Sequence, residues 1–155
     1  MSQTDYFDSS ALVKRYMAEI GSAWVIGRYQ EADRIMATAD FSRVEIAAAF
    51  AAKLRGHFIT QADYDRAREV LTADGRNRYH LLPVTSERVD EAVDLTTRHK
   101  LRGYDAIHLA CALYLNRALM TNSLPALTFV AADTALLTAA QVEGLTTVNP
   151  NDQPD

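Results

Sequence analysis

Short apolar runs alternate along the chain with longer stretches in which apolar positions recur every three or four residues. The short runs predict strands: Tyr6 and Phe7 close a brief first one, followed by Arg34 to Thr38, His80 to Val84, Thr128 to Ala131 and Leu145 to Val148. Pro83 interrupts the third. The periodic stretches predict helices over Ser9 to Met17, Ala23 to Ala32, Ser42 to Arg55 and Thr60 to Asp74, then Ser86 to His99, Asp105 to Asn116 and Asp133 to Gln141. Thr60 is placed to cap the fourth helix. The helix from Asp105 is apolar on most faces, so it is expected to be central.

Strands alternating with helices in a short chain imply an α/β fold, a three-layer α/β/α sandwich around a parallel sheet of about five strands. The 155 residues suit one domain over residues 1–150, with no repeat or internal linker and a polar tail over 151–155. The last seven residues, from Asn149, are expected to be frayed.

Hydrophobic residues make up 48% of the chain and charged residues 23%, ordinary values for a globular protein. No apolar run approaches a membrane span, and the opening MSQTDYFDSS is too polar for a signal peptide, so the expected location is the cytoplasm. The single cysteine, Cys111, excludes an internal disulfide framework and a cysteine-rich zinc site. Twenty acidic against 16 basic residues give a net charge of −4, which argues against binding nucleic acid through a broadly positive surface. A local acidic site neutralised by metal remains compatible with that balance.

Four acids stand where strands end or helices begin: Asp8, Glu45, Asp105 and Asp133. Each has a local structural explanation. Asp8, Asp105 and Asp133 suit helix N-caps, and Ser42-Arg43-Val44-Glu45 has the form of a capping box. Against that, Glu45 is the only polar side chain in VEIAAAFAA, and Asp105 borders the apolar AIHLACALYL. A carboxylate at buried surface needs a partner, and nothing in the nearby sequence pairs off all four. Ligands in open α/β sheets bind beyond the carboxyl ends of the strands, an edge where the topology permits these acids to gather, and a shared hard divalent cation would neutralise several at once.

The motifs around these acids resemble those of PIN-domain ribonucleases, specifically VapC-like toxins of type II (VapBC) toxin–antitoxin systems. Tyr6-Phe7-Asp8-Ser9-Ser10 resembles the first motif, Glu45 the second acid and Leu101 to Ala110 the third motif. Phe129 to Asp133, with Leu136, Ala139, Ala140 and Gly144, resembles the fourth. Order and spacing agree from Thr4 to about Pro150. One departure is Ala131, where many relatives carry Ser or Thr; Thr134 is the adjacent hydroxyl.

The resemblance implies a Mg²⁺- or Mn²⁺-dependent endoribonuclease that leaves 5′-phosphate and 3′-hydroxyl ends. On that basis Asp8 and Asp105 are expected metal ligands, with Glu45 and Asp133 completing the ring directly or through water. Ser10 is expected to bond a metal-bound water or a phosphate, and Lys14, Arg15 and Arg43 to line the RNA path. The resemblance further implies a homodimer and a small antitoxin whose C-terminal segment crosses the active site. Its groove is expected between the helices Ser42 to Arg55 and Thr60 to Asp74, with Phe58 and Ile59 as apolar contacts. His108, a helical histidine among apolar residues, reads as packed and hydrogen-bonded rather than as a ligand. Cys111 reads as core.

Rival phosphoryl-transfer readings lack their residues. A response-regulator receiver needs an acidic pair after its first strand, where this chain has Asp8-Ser9. A haloacid-dehalogenase phosphatase needs an acid where Ser10 stands. The remaining alternative is a catalytically silent PIN domain that binds RNA or protein.

Overall fold

The computed structural model describes residues 1–153. Among them, five parallel strands form one sheet: β1 (Thr4–Phe7), β2 (Ile35–Ala39), β3 (Tyr79–Leu82), β4 (Thr128–Val130) and β5 (Thr146–Val148), in the order β3-β2-β1-β4-β5. β3 stops before Pro83, which has no N–H to donate to a ladder. The helices are α1 (Ser9–Leu12), α2 (Ser22–Gln30), α3 (Ser42–Arg55), α4 (Gln61–Asn77), α5 (Ser86–Arg98), α6 (Gly103–Thr121) and α7 (Thr134–Val142).

Alternate residues of each strand face opposite layers. Tyr6, Ala37 and Phe129 pack with Leu95, Leu109 and Leu136 of α5, α6 and α7 on one side. Phe7, Met36 and Val130 pack with Leu12, Ile46 and Leu71 of α1, α3 and α4 on the other. The three-layer sandwich expected from the pattern is therefore the one observed. Cys111 is fully buried in the first of these cores.

Several local expectations change. β1 begins at Thr4, earlier than its apolar residues suggest, because Asp5 is buried against Arg34 at 3.1 Å and Arg28 at 3.7 Å. The expected first helix tightens into a 3-10 turn over Val13–Arg15. Here the buried Lys14 ammonium donates to Glu19 Oε1 at 2.9 Å and to the Ile20 carbonyl at 2.7 Å. α4 runs three residues beyond Asp74, and its Thr60–Asp63 capping box is complete. The segment from Asn149 is ordered over Pro150–Asp152 as a 3-10 turn with Pro150 buried. It packs on Gly21, whose φ of +87° and lack of a side chain admit the Pro150 carbonyl. Residues 154 and 155 of the expected tail lie outside the described residues.

Candidate metal centre

The chain order reverses direction across the sheet between β1 and β4, which opens a crevice at their carboxyl ends. Asp8 follows β1 directly, and its N–H donates to the Val130 carbonyl of β4 at 3.0 Å. Its Oδ1 accepts the Ala11 N–H at 3.0 Å and so caps α1. The Ser10 hydroxyl lies 2.7 and 2.8 Å from the two Asp8 oxygens and accepts the Ala132 N–H at 3.1 Å. Ser10 therefore holds Asp8 and ties it to the exit of β4, where the sequence suggested a contact to water or phosphate.

Asp8 is only 3% exposed. Burial pushes its pKa up to about 6, and the charge of Asp105 adds to the rise. His108, the Ser10 hydroxyl and the Ala11 N–H pull the other way. Asp105, half-buried as the third residue of α6, is also raised, first by desolvation and then by the charge of Asp133. Arg102 is the N-cap of α6, so Asp105 does not hold the capping position that the sequence allowed it.

The capping box that the Ser42–Glu45 pattern allowed does not form. α3 starts from Phe41, and Ser42 lies within the helix, buried 2.7 Å from the Thr38 hydroxyl. Thr38 donates its own proton to the Phe7 carbonyl at 2.7 Å, which makes Ser42 the donor of that pair. Glu45 instead meets His108, with Oε1 2.9 Å from Nε2. Asp133 caps α7 through the Leu136 N–H at 3.1 Å. Ala131 is buried, and Thr134 is the exposed first residue of α7.

These placements bring the four acids to one edge, where the charge of Asp105 acts on Asp8 and those of Asp133 and Glu45 act on Asp105. They do not close around a point: among the described residues, no three His, Cys, Asp or Glu side chains are set to hold one metal ion. The physical reason is electrostatic. Like charges repel, and Asp8, Glu45 and Asp133 each turn to a hydrogen-bond donor of the protein instead. The donor set is all oxygen, and burial opposes the ionisation of Asp8 and Asp105, which is the chemistry that a hard cation relieves.

The expected basic residues separate. Lys14 is buried in its bonds to Glu19 and Ile20, so it is withdrawn from any RNA path. Arg15 lies 3.9 Å above the Tyr29 ring and 3.6 Å from Asp74, serving the packing of α4. Arg43 is half-exposed beside Asp40. Phe58 is 80% exposed, while Ile59 packs against the core. The partner of His108 was missed from sequence. The signal was its place one turn after Asp105 in a buried run, where both ring nitrogens demand partners.

An acidic edge at the switch point of this sheet matches a known class. The chain belongs to the PIN-domain family, whose model matches residues 6–122. That span includes Asp8, Glu45 and Asp105; Asp133 lies beyond it. Two Mycobacterium tuberculosis proteins, Ribonuclease VapC45 and Ribonuclease VapC49, are each 35% identical over 111 residues, covering 70% of this chain and 74% of theirs.

Solved structures share the fold. PAE2754 from Pyrobaculum aerophilum aligns with a TM-score of 0.62 at 17% identity, over 95% of this chain and 84% of that one. A toxin–antitoxin complex from Klebsiella pneumoniae aligns at 0.57 and 16%, over 94% and 97%.

Proposed function

We propose that this protein is a divalent-metal-dependent endoribonuclease and the toxin of a toxin–antitoxin pair. The observation that carries the reading is Asp8, buried at the switch-point edge with its ionisation opposed by burial and by Asp105. A buried acid with its ionisation opposed in this way marks a site where a cation or substrate can use its charge. The ribonuclease relatives at 35% identity support the substrate class.

Asp8 and Asp105 would hold Mg²⁺ or Mn²⁺, with Glu45 and Asp133 completing an oxygen-only set. Bound metal supplies an acidified water for in-line attack and charge stabilisation at the phosphoryl oxygens. The chain's own residues do the positioning. Ser10 and the Ala11 N–H orient Asp8. Arg102, exposed at the head of α6, offers a cation to the RNA backbone beside the acids.

The antitoxin segment would lie between α3 and α4, in a groove of about 520 Å³ lined by Phe41, Val44, Ala47, Arg68, Leu71 and Val84. Val44 is 71% exposed there, an apolar contact waiting for a partner. A homodimer working on cytoplasmic RNA completes the reading. Among the described residues, no helix is long and apolar enough to cross a membrane.

The test is cleavage of RNA by purified protein with Mg²⁺ or Mn²⁺, loss in EDTA, and 5′-phosphate product ends. Asp8→Asn and Asp105→Asn should each remove activity with the fold intact. Full activity in either variant would end its assignment as a ligand.

A further inference from the structure

His108 is 1% exposed on α6, one turn after Asp105. Both of its ring nitrogens are engaged. Nε2 lies 2.9 Å from Glu45 Oε1, and Nδ1 lies 2.9 Å from the Tyr6 hydroxyl. Phe41 packs on the imidazole at 4.7 Å between centroids, and the Tyr6 ring is itself stacked on Phe129 at 5.7 Å. The imidazole cannot turn without giving up both bonds and leaving buried polar atoms unpaired, which is costly.

The proton positions follow from what each partner can do. An ionised Glu45 only accepts, so Nε2 carries the proton that faces it. Nδ1 then meets the Tyr6 hydroxyl, accepting from it when the ring is neutral and donating to it when the ring is charged. The order from the core outward is phenol, imidazole, carboxylate.

We infer that Tyr6 and His108 form a positioning relay for Glu45, fixing one carboxylate oxygen so that the other is presented to the metal. The inference rests on the metal-dependent nuclease reading and deepens it. A histidine that only filled space at this depth would be replaceable by leucine without loss of polar partners. This one spends both nitrogens on two residues far apart in the chain, and its outer partner is one of the four acids. Hydrogen bonds of this kind to a metal-binding carboxylate orient it and tune its affinity.

The test uses the full chain, stripped of metal, with three variants: His108→Leu, His108→Gln and Tyr6→Phe. Calorimetric titration with Mn²⁺ gives affinity, RNA cleavage gives kcat and KM, and nitrogen shifts of the imidazole report which ring nitrogen is protonated. His108→Leu should weaken Mn²⁺ binding and kcat by about 10-fold or more, the usual effect of removing such a partner, with KM little changed. His108→Gln, whose amide can still donate to Glu45, should recover part of the loss. Tyr6→Phe keeps the ring stacked on Phe129, so it should fold, and it should shift the imidazole proton and lower Mn²⁺ affinity severalfold.

Should His108→Leu fail to fold, the other two variants decide. Wild-type Mn²⁺ affinity and kcat in all folded variants would overturn the relay alone. A wild-type protein that binds Mn²⁺ in no measurable amount and leaves RNA uncut would overturn the nuclease reading as well.

Discussion

Asp105 shares its edge with Asp8, and after burial, the larger cause, its charge opposes Asp8 ionisation and helps raise the Asp8 pKa to about 6. An unfolded aspartate titrates near 3.9, so the folded protein binds the Asp8 proton more tightly. The stability this contributes is full below about pH 4 and is lost as pH rises through about 6. Ionised Asp8 therefore costs the metal-free protein roughly 3 kcal/mol at neutral pH. Asp8→Asn keeps an N-cap side chain and removes that charge. In EDTA at pH 7.5 it is expected to raise the urea midpoint above wild type while abolishing cleavage, and the gain should vanish at pH 4. A variant less stable than wild type at pH 7.5 would contradict the burial argument.

Metal should act in the opposite sense with pH. A ligand that binds only the folded state adds stability by mass action, and carboxylates must be ionised to bind. Mn²⁺ at about 100 times its Kd is worth about 2.7 kcal/mol. Thermal melts should therefore show a clear rise in Tm with Mn²⁺ at pH 7.5 and little rise at pH 5, where Asp8 is mostly protonated. Equal shifts at both pH values would place the bound ion elsewhere.

Lys14 illustrates a cation used for folding. Its ammonium is buried between Glu19 and the Ile20 carbonyl. Lys14→Ala leaves that carbonyl unpaired and removes the ion pair, at an expected cost of about 1–3 kcal/mol, discounted because Glu19 is partly exposed. Urea unfolding should show the loss, and KM for RNA should stay within about twofold, since a single phosphate contact is not being removed.

Gly21 is the backbone counterpart. A Cβ there would stand 2.7 Å from the Pro150 carbonyl oxygen, at a φ of +87°. Gly21→Ala is expected to cost about 1–3 kcal/mol and to release the 3-10 turn at Pro150. Faster proteolysis after that turn, with cleavage of RNA unchanged in the folded protein, is the measurement.

What the sequence made legible was what repeats locally. Strand and helix periods showed the sandwich, and the strand-end positions of Asp8 and Asp133 placed them at one edge because topology dictates it. Pairings across long separations were not legible. Nothing near Glu45 announces His108, 63 positions away, and the local rule pointed instead to a capping box with Ser42. Nothing near Asp74 announces that the Tyr16 and Tyr29 hydroxyls will both donate to it at 2.7 Å. Lys14 looked like a surface cation because charge in a sequence carries no record of depth.

Ser10 binds Asp8 with its hydroxyl and receives the Ala132 amide from across the crevice. The acid proposed to hold metal is thus a fastener between the two halves of the sheet. Amide exchange at Ala132 should then be slow for a residue so near an open edge, and should quicken on Ser10→Ala. A change at this one position would loosen the architecture and misalign the chemistry in a single step.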